Sequence, residues 1–152
     1  MNDRVTRHMA LALTEAEAAA SRGEVPVGAV LVAPDGRPYA SDGNRTIERN
    51  DPTAHAEMLV IRHGCQATGS QRLPGFDLYV TLEPCAMCAA AISFARIRRL
   101  YFAASDPKSG GVEHGPAFFD QATCHHAPEV YGGIAETKAA DLLTHFFAAR
   151  RE

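Results

Sequence analysis

Three side chains of this sequence can grip one soft metal ion, and an acid stands beside them unspent. His55-Ala56-Glu57 precedes Pro84-Cys85-Ala86-Met87-Cys88. Two thiolates and an imidazole suit zinc better than magnesium or calcium, which prefer oxygen. Three protein ligands leave a position open for water, the mark of a catalytic rather than a structural zinc site. Zinc with two thiolates is close to neutral overall, yet it still lowers the pKa of a bound water toward about 7. Hydrolysis is the chemistry to which these residues point.

Local order supports that assignment. Cys85 and Cys88 are three apart and share one face of a helix starting after Pro84. The unpaired amides and positive dipole of a helix start favour thiolate, the metal-binding form. Glu57 follows His55 by two residues, about 200° around an ideal helix, so it is poorly placed as a fourth ligand. It is expected to carry protons instead. A closed structural site would need completion by Cys65, Cys124, His125 or His126, since such sites normally use four protein ligands. A redox C-x-x-C leaves the distant His-x-Glu unexplained.

The elements that must position these residues follow from periodicity. Val5, Met9, Ala12, Leu13 and Ala16 recur at helical spacing, which predicts a helix over 4–21 ending before Gly23. Val25 to Val32 reads as a strand, and the turn signal Pro34-Asp35-Gly36 leads to a second strand toward Ser41. Asp51-Pro52-Thr53 reads as a cap and first turn, with His55 and Glu57 in that turn, the helix running to about Arg62 and Gly64 ending it. Asp77 to Leu82 is a strand, Cys85 to about Ala95 a helix, and Leu100 to Ala103 the next strand. The segments 106–115 and 123–128 read as surface loops available for function. A last amphipathic helix spans Glu136 to Arg151, with Ala139, Leu142, Leu143, Phe146 and Phe147 as its apolar stripe; the two phenylalanines are expected in the core. Strands alternating with helices after a hairpin indicate an α/β sandwich with a mixed sheet.

Bulk properties bound the remainder. The chain of 152 residues fits one domain over 1–152, and 46% hydrophobic with 22% charged residues is ordinary for a soluble globular protein. Charges at Asp3, Arg4, Arg7, Glu15 and Glu17 interrupt any apolar run that would act as a signal or membrane span, so a cytoplasmic location with reduced cysteines and no membrane partner is expected. The net charge of −3 disfavours non-specific nucleic-acid binding, so any such contact must be local.

The chain resembles the bacterial tRNA-specific adenosine deaminases of the cytidine deaminase-like superfamily over nearly its whole length. The resemblance rests on Thr53-Ala54-His55-Ala56-Glu57 and Thr81-Leu82-Glu83-Pro84-Cys85-Ala86-Met87-Cys88, which carry the superfamily's H-x-E…P-C-x-x-C signature. It extends to Glu24-Val25-Pro26-Val27-Gly28-Ala29-Val30, Asn44-Arg45, Asp106-Pro107-Lys108-Ser109-Gly110, and Phe146-Phe147 with Arg150-Arg151. It implies a three-layer α/β/α sandwich with a mixed central sheet of about five strands, and one Zn2+ per subunit on His55, Cys85 and Cys88. It further implies hydrolysis of adenosine to inosine at the wobble position of a tRNA anticodon stem-loop, with Glu57 moving the proton. Asn44 would then lie against the purine, and Asp106, Lys108 and Ser109 beside the anticodon nucleotides, with Lys108 available to a phosphate. The basic helix end would meet the RNA backbone, and the subunits would pair as a homodimer.

Two alternatives stay open at this level. The same zinc chemistry serves deaminases of free nucleobases or nucleosides, such as guanine or cytosine, with pocket shape deciding. From another class, a zinc-stabilised RNA-binding module would use the metal without turnover.

Overall fold

The computed structural model describes residues 2–150. Its frame is a five-stranded sheet in the order β2-β1-β3-β4-β5, formed by β1 Gly28–Val32, β2 Pro38–Gly43, β3 Asp77–Leu82, β4 Arg99–Ala104 and β5 Glu129–Tyr131. The hairpin partner β2 and the strand β3 both run antiparallel to β1, whereas β3, β4 and β5 are mutually parallel neighbours. The sheet is therefore mixed, as the order of elements predicts. All five residues of β1 are buried, as a central strand covered on both faces requires.

Helices α1 Asp3–Ser21 and α4 Glu136–Arg150 cover one face, where Met9, Leu13, Ile134 and Ala139 pack on Val30, Tyr79 and Ala103. Helices α2 Ala56–Thr68 and α3 Ala86–Phe94 cover the other, where Val60, Ile61 and Ile92 meet Leu31, Leu78, Val80 and Phe102. Adjacent residues of β1 and β3 thus feed opposite cores, giving the three-layer sandwich. Gly28 lets α1 lie directly on β1, since a Cβ there would overlap the Ala12 carbonyl oxygen.

Several boundaries differ from expectation for identifiable reasons. The Asp51 carboxylate is occupied by the amide and hydroxyl of Thr53, a local turn, and α2 begins only at Ala56. His55 is its extended N-cap residue, not part of its first turn. Gly64 does not end that helix: it is buried, and a Cβ there would come within 2.5 Å of Leu31 Cδ2. Gly69, left-handed at φ 70°, ends it. Cys85 likewise precedes α3 as its N-cap. The strand β5 and a short 3-10 turn at Phe118–Asp120 were not expected from the sequence. Phe146 is in the core, but Phe147 is 43% exposed and is not. Arg151 lies outside the described residues.

Candidate active site

The site lies at the carboxyl ends of β3 and β4, where α2 and α3 present their N-termini, the usual place for a ligand on an α/β sheet. His55 and Cys85 occupy equivalent positions: each is the extended residue before a helix, and neither side chain caps its own helix. Both are thereby free to turn toward one point. Asn44 takes over the capping of α2 from a distance, its Oδ1 accepting the Ala56 amide at 2.8 Å. Cys88 sits one helical turn beyond Cys85, wholly buried.

His55 Nδ1 lies 3.7 Å from Cys85 Sγ and 3.5 Å from Cys88 Sγ, and all three candidate ligand atoms fall within 4.8 Å of one another. Zinc bonds of about 2.0–2.1 Å to nitrogen and about 2.3 Å to sulfur, at a tetrahedral angle, place N and S about 3.6 Å apart. The donor set therefore fits zinc in type and in spacing. The Cys88 thiol hydrogen-bonding to Cys85, opposed by burial and helped by His55, holds Cys85 down to about 4. The same contact with Cys85, with burial, pushes Cys88 up. A soft divalent cation binds thiolates, so metal binding here would release protons from the pair. The contact with Cys85 raises the His55 pKa above its ordinary value.

Among the described residues no fourth His, Cys, Asp or Glu joins this group. Two of the candidates for closing it, Cys124 and His126, are engaged elsewhere. Cys124 contacts Ser93 and the His126 carbonyl, and the His126 ring meets the Ile97 carbonyl at 2.8 Å. Glu57, on the first turn of α2, is 3% exposed, and its Oε1 has no hydrogen-bond partner among the described residues. Burial, against the pull of His55, pushes its carboxyl up to about 7. A buried carboxyl poised near neutrality, with one oxygen left unpartnered, is suited to taking and giving protons.

These groups open into a cleft of about 230 Å³ whose walls include Val25, Val27, Thr46 and Leu82. That is below the roughly 300–1,000 Å³ of drug-sized sites and is on the scale of a single flat ring. Asn44, Asp106 and Ser109 line the same cleft. With its Oδ1 held by α2, Asn44 has its amide NH2 to offer. Lys108 is not in the cleft but lines an adjoining groove with Ser105, Leu143 and the exposed Phe147. Arg98 and Arg99 pair with Asp77 and Glu129, and Arg150 covers the Phe146 ring at 3.6 Å from its centroid.

Two acids that sequence reasoning assigned no role form the framework of the cleft. Glu24, 1% exposed, accepts the Ile47 and Glu48 amides and the Thr46 hydroxyl. Glu83, 2% exposed, accepts the amides of Asp106, Val112, Glu113 and His114 and contacts the His114 ring. Each lies within a motif quoted above, but nothing local to the sequence indicates which amides it binds.

Comparison with known proteins agrees with this geometry. Residues 2–104 match the family described as the cytidine and deoxycytidylate deaminase zinc-binding region. A tRNA-specific adenosine deaminase of Agrobacterium fabrum is 64% identical over 146 residues, covering 96% of this chain and 95% of that relative. The protein of the same name from Bacillus subtilis is 41% identical over 145 residues, covering 95% and 89%. A solved structure from work on A-to-I editing by tRNA:A34 deaminases at the wobble position of transfer RNA superposes with a TM-score of 0.89 at 66% identity, covering 91% of this chain and 99% of that one. Guanine deaminase from Nitrosomonas europaea reaches 0.81 at 21% identity, covering 94% and 84%, a likeness of fold alone.

Proposed function

The chain belongs to the tRNA-specific adenosine deaminases, within the zinc-binding cytidine and deoxycytidylate deaminase family, and on that premise we propose the residues by which it converts a wobble adenosine of tRNA to inosine. His55 Nδ1, Cys85 Sγ and Cys88 Sγ would hold one zinc ion per chain. Zinc held there supplies the Lewis acidity that makes water a nucleophile near neutral pH. Glu57 takes a proton from the attacking water, passes it to N1 of the adenine, and then assists protonation of the departing ammonia. The C6–O bond forms as N1 takes the first proton of the water, and the C6–N bond then breaks as the second proton, carried by Glu57, passes to the amino group, which leaves as ammonia and restores the ring with a C6 carbonyl. Asn44 directs its amide at the purine, while Asp106 and Ser109 wall the ring and Lys108 meets a backbone phosphate in the adjoining groove.

The observation carrying this assignment is the unpartnered, buried oxygen of Glu57, a residue that lines the same cleft as His55 and Cys85. A purely structural zinc module has no use for such an acid, whose burial is costly. The cleft is sized for a base, and an anticodon loop offers an unpaired one. We further propose that residues 1–152 act as one domain, that two chains pair as a homodimer, and that the enzyme works in the cytoplasm. No helix among the described residues is long and apolar enough to cross a membrane.

The test is inosine formation on an anticodon stem-loop carrying adenosine at the wobble position, with ammonia release from guanine, cytosine and free adenosine assayed in parallel. Inosine on the stem-loop alone is expected. Ammonia from a free base alone would overturn the substrate, and inertness toward all four with zinc bound would overturn catalysis.

A further inference from the structure

Glu83 lies two residues before the candidate ligand Cys85, yet its side chain turns away into a closed set of donors. The side chain is 0% exposed. Its Oε1 accepts the Asp106 amide at 2.9 Å and meets His114 Nδ1 at 2.8 Å. Its Oε2 accepts the amides of Val112, Glu113 and His114 at 3.2, 2.9 and 3.1 Å. A buried carboxylate loses its hydration, and only such a set of donors offsets that cost. The donors all come from one loop. Gly110 is needed at its centre because a Cβ there would run into the Glu83 carboxylate. The Gly111 amide is tied to the Pro84 carbonyl at 2.8 Å, so the loop also rests on the turn that leads to Cys85.

Within this loop Asp106 plays a second part. Its Oδ1 accepts the Lys108 and Ser109 amides at 3.2 and 3.0 Å, and its carbonyl accepts the Gly110 amide at 2.9 Å. Fixing the Asp106 amide therefore fixes the turn that aims Asp106 and Ser109 into the cleft and Lys108 into the groove.

We propose that Glu83 is a positioning residue: by holding residues 106–114 it sets one wall of the substrate cleft before RNA arrives. The proposal rests on the tRNA deaminase assignment for the identity of the substrate. Substrate binding to a loop already ordered avoids the entropy of ordering it. Glu83→Gln replaces one acceptor oxygen with an amide that must face N–H donors, so the loop loosens while the metal donors stay in place.

The experiment measures amide hydrogen exchange, zinc content and steady-state kinetics on the stem-loop for the intact protein, Glu83→Gln and His114→Ala. Faster exchange confined to 106–114 is expected in Glu83→Gln, at unchanged zinc content, with KM raised about tenfold and kcat lowered far less, the scale of one lost charge-assisted hydrogen bond. His114→Ala, which keeps the four amide bonds, should show the same pattern more weakly, and it serves as the readout if Glu83→Gln does not fold. Unchanged exchange in the loop, or a loss confined to kcat or to zinc content, overturns the proposal. If the unmodified protein forms no inosine on the stem-loop, the substrate assignment fails, while the exchange data still decide whether Glu83 holds the loop.

Discussion

Glu57 differs from Glu24 and Glu83, the buried acids that frame the cleft, in that one of its carboxyl oxygens has no partner among the described residues. Glu24 and Glu83 are supplied with backbone amides, whereas Glu57 Oε1 is without a partner and burial pushes its carboxyl up to about 7. Glu57→Gln should therefore retain zinc, measured by metal analysis, while kcat falls by a factor of at least about 10². Normal turnover in that variant would remove Glu57 from the reaction. The pH dependence has a definite sign. The carboxylate must accept a proton first, so kcat/KM falls as pH drops through its pKa. A divalent cation on the neighbouring ligands favours the carboxylate, so the midpoint of the acid limb belongs at or below about 7. A profile flat between about pH 5 and 8 would contradict this. The grouping of His55, Cys85 and Cys88 was legible in the sequence because metal chemistry is written in residue type and short spacing. The parts of Glu24 and Glu83 were not, because their partners are 22 to 31 residues away and are brought near only by the folded sheet.

At the scale of elements, helix starts were harder to read than helix identity. Asp51-Pro52-Thr53 has the composition of a cap, but the Asp51 carboxylate is taken by the Thr53 amide and hydroxyl, and the amide that needs capping is Ala56, reached by Asn44, another residue of the cleft wall. Composition reports local partners and cannot report this one. The three-residue β5 is similar, since it exists through its parallel register with Arg99, Leu100 and Tyr101 and not through any pattern of its own. The loop after Asn44 depends on tertiary contact as well, and its anchor can be tested through pH. Burial works to raise the pKa of Glu24, but the Glu48 and Ile47 amides and the Thr46 hydroxyl outweigh it and leave the folded value below the ordinary 4.5. The stabilisation from its carboxylate is thus complete above the unfolded value and is lost as pH falls through the folded one. Glu24→Gln should cost about 1–3 kcal/mol in urea unfolding near neutral pH, with the difference from the unmodified protein shrinking in acid. A difference independent of pH would mean that the charge on Glu24 does not hold the loop.

For the whole molecule, the question is how far fold and site depend on each other. The zinc donors join the starts of α2 and α3 at one edge, while the two apolar cores on either face of the sheet are built without them. Chelation should accordingly abolish deamination and lower the melting temperature by the binding free energy linked to folding, yet leave far-UV circular dichroism largely native. Collapse to an unfolded chain would make zinc a folding element first. The remaining global quantity is charge. A net −3 gives RNA no general attraction, so binding must rely on few cations near the cleft, and Arg98 and Arg99 are already paired. Lys108, exposed in the groove beside the cleft, is the cation best placed to meet a phosphate. Each phosphate contact with a single strand contributes about 0.7 to the slope of log affinity against log salt. Lys108→Ala should lower that slope by about 0.7 to 1 for the anticodon stem-loop and weaken binding similarly for every loop sequence. An unchanged slope with altered sequence preference would make Lys108 a reader of bases, because a phosphate contact is blind to sequence and a base contact is not.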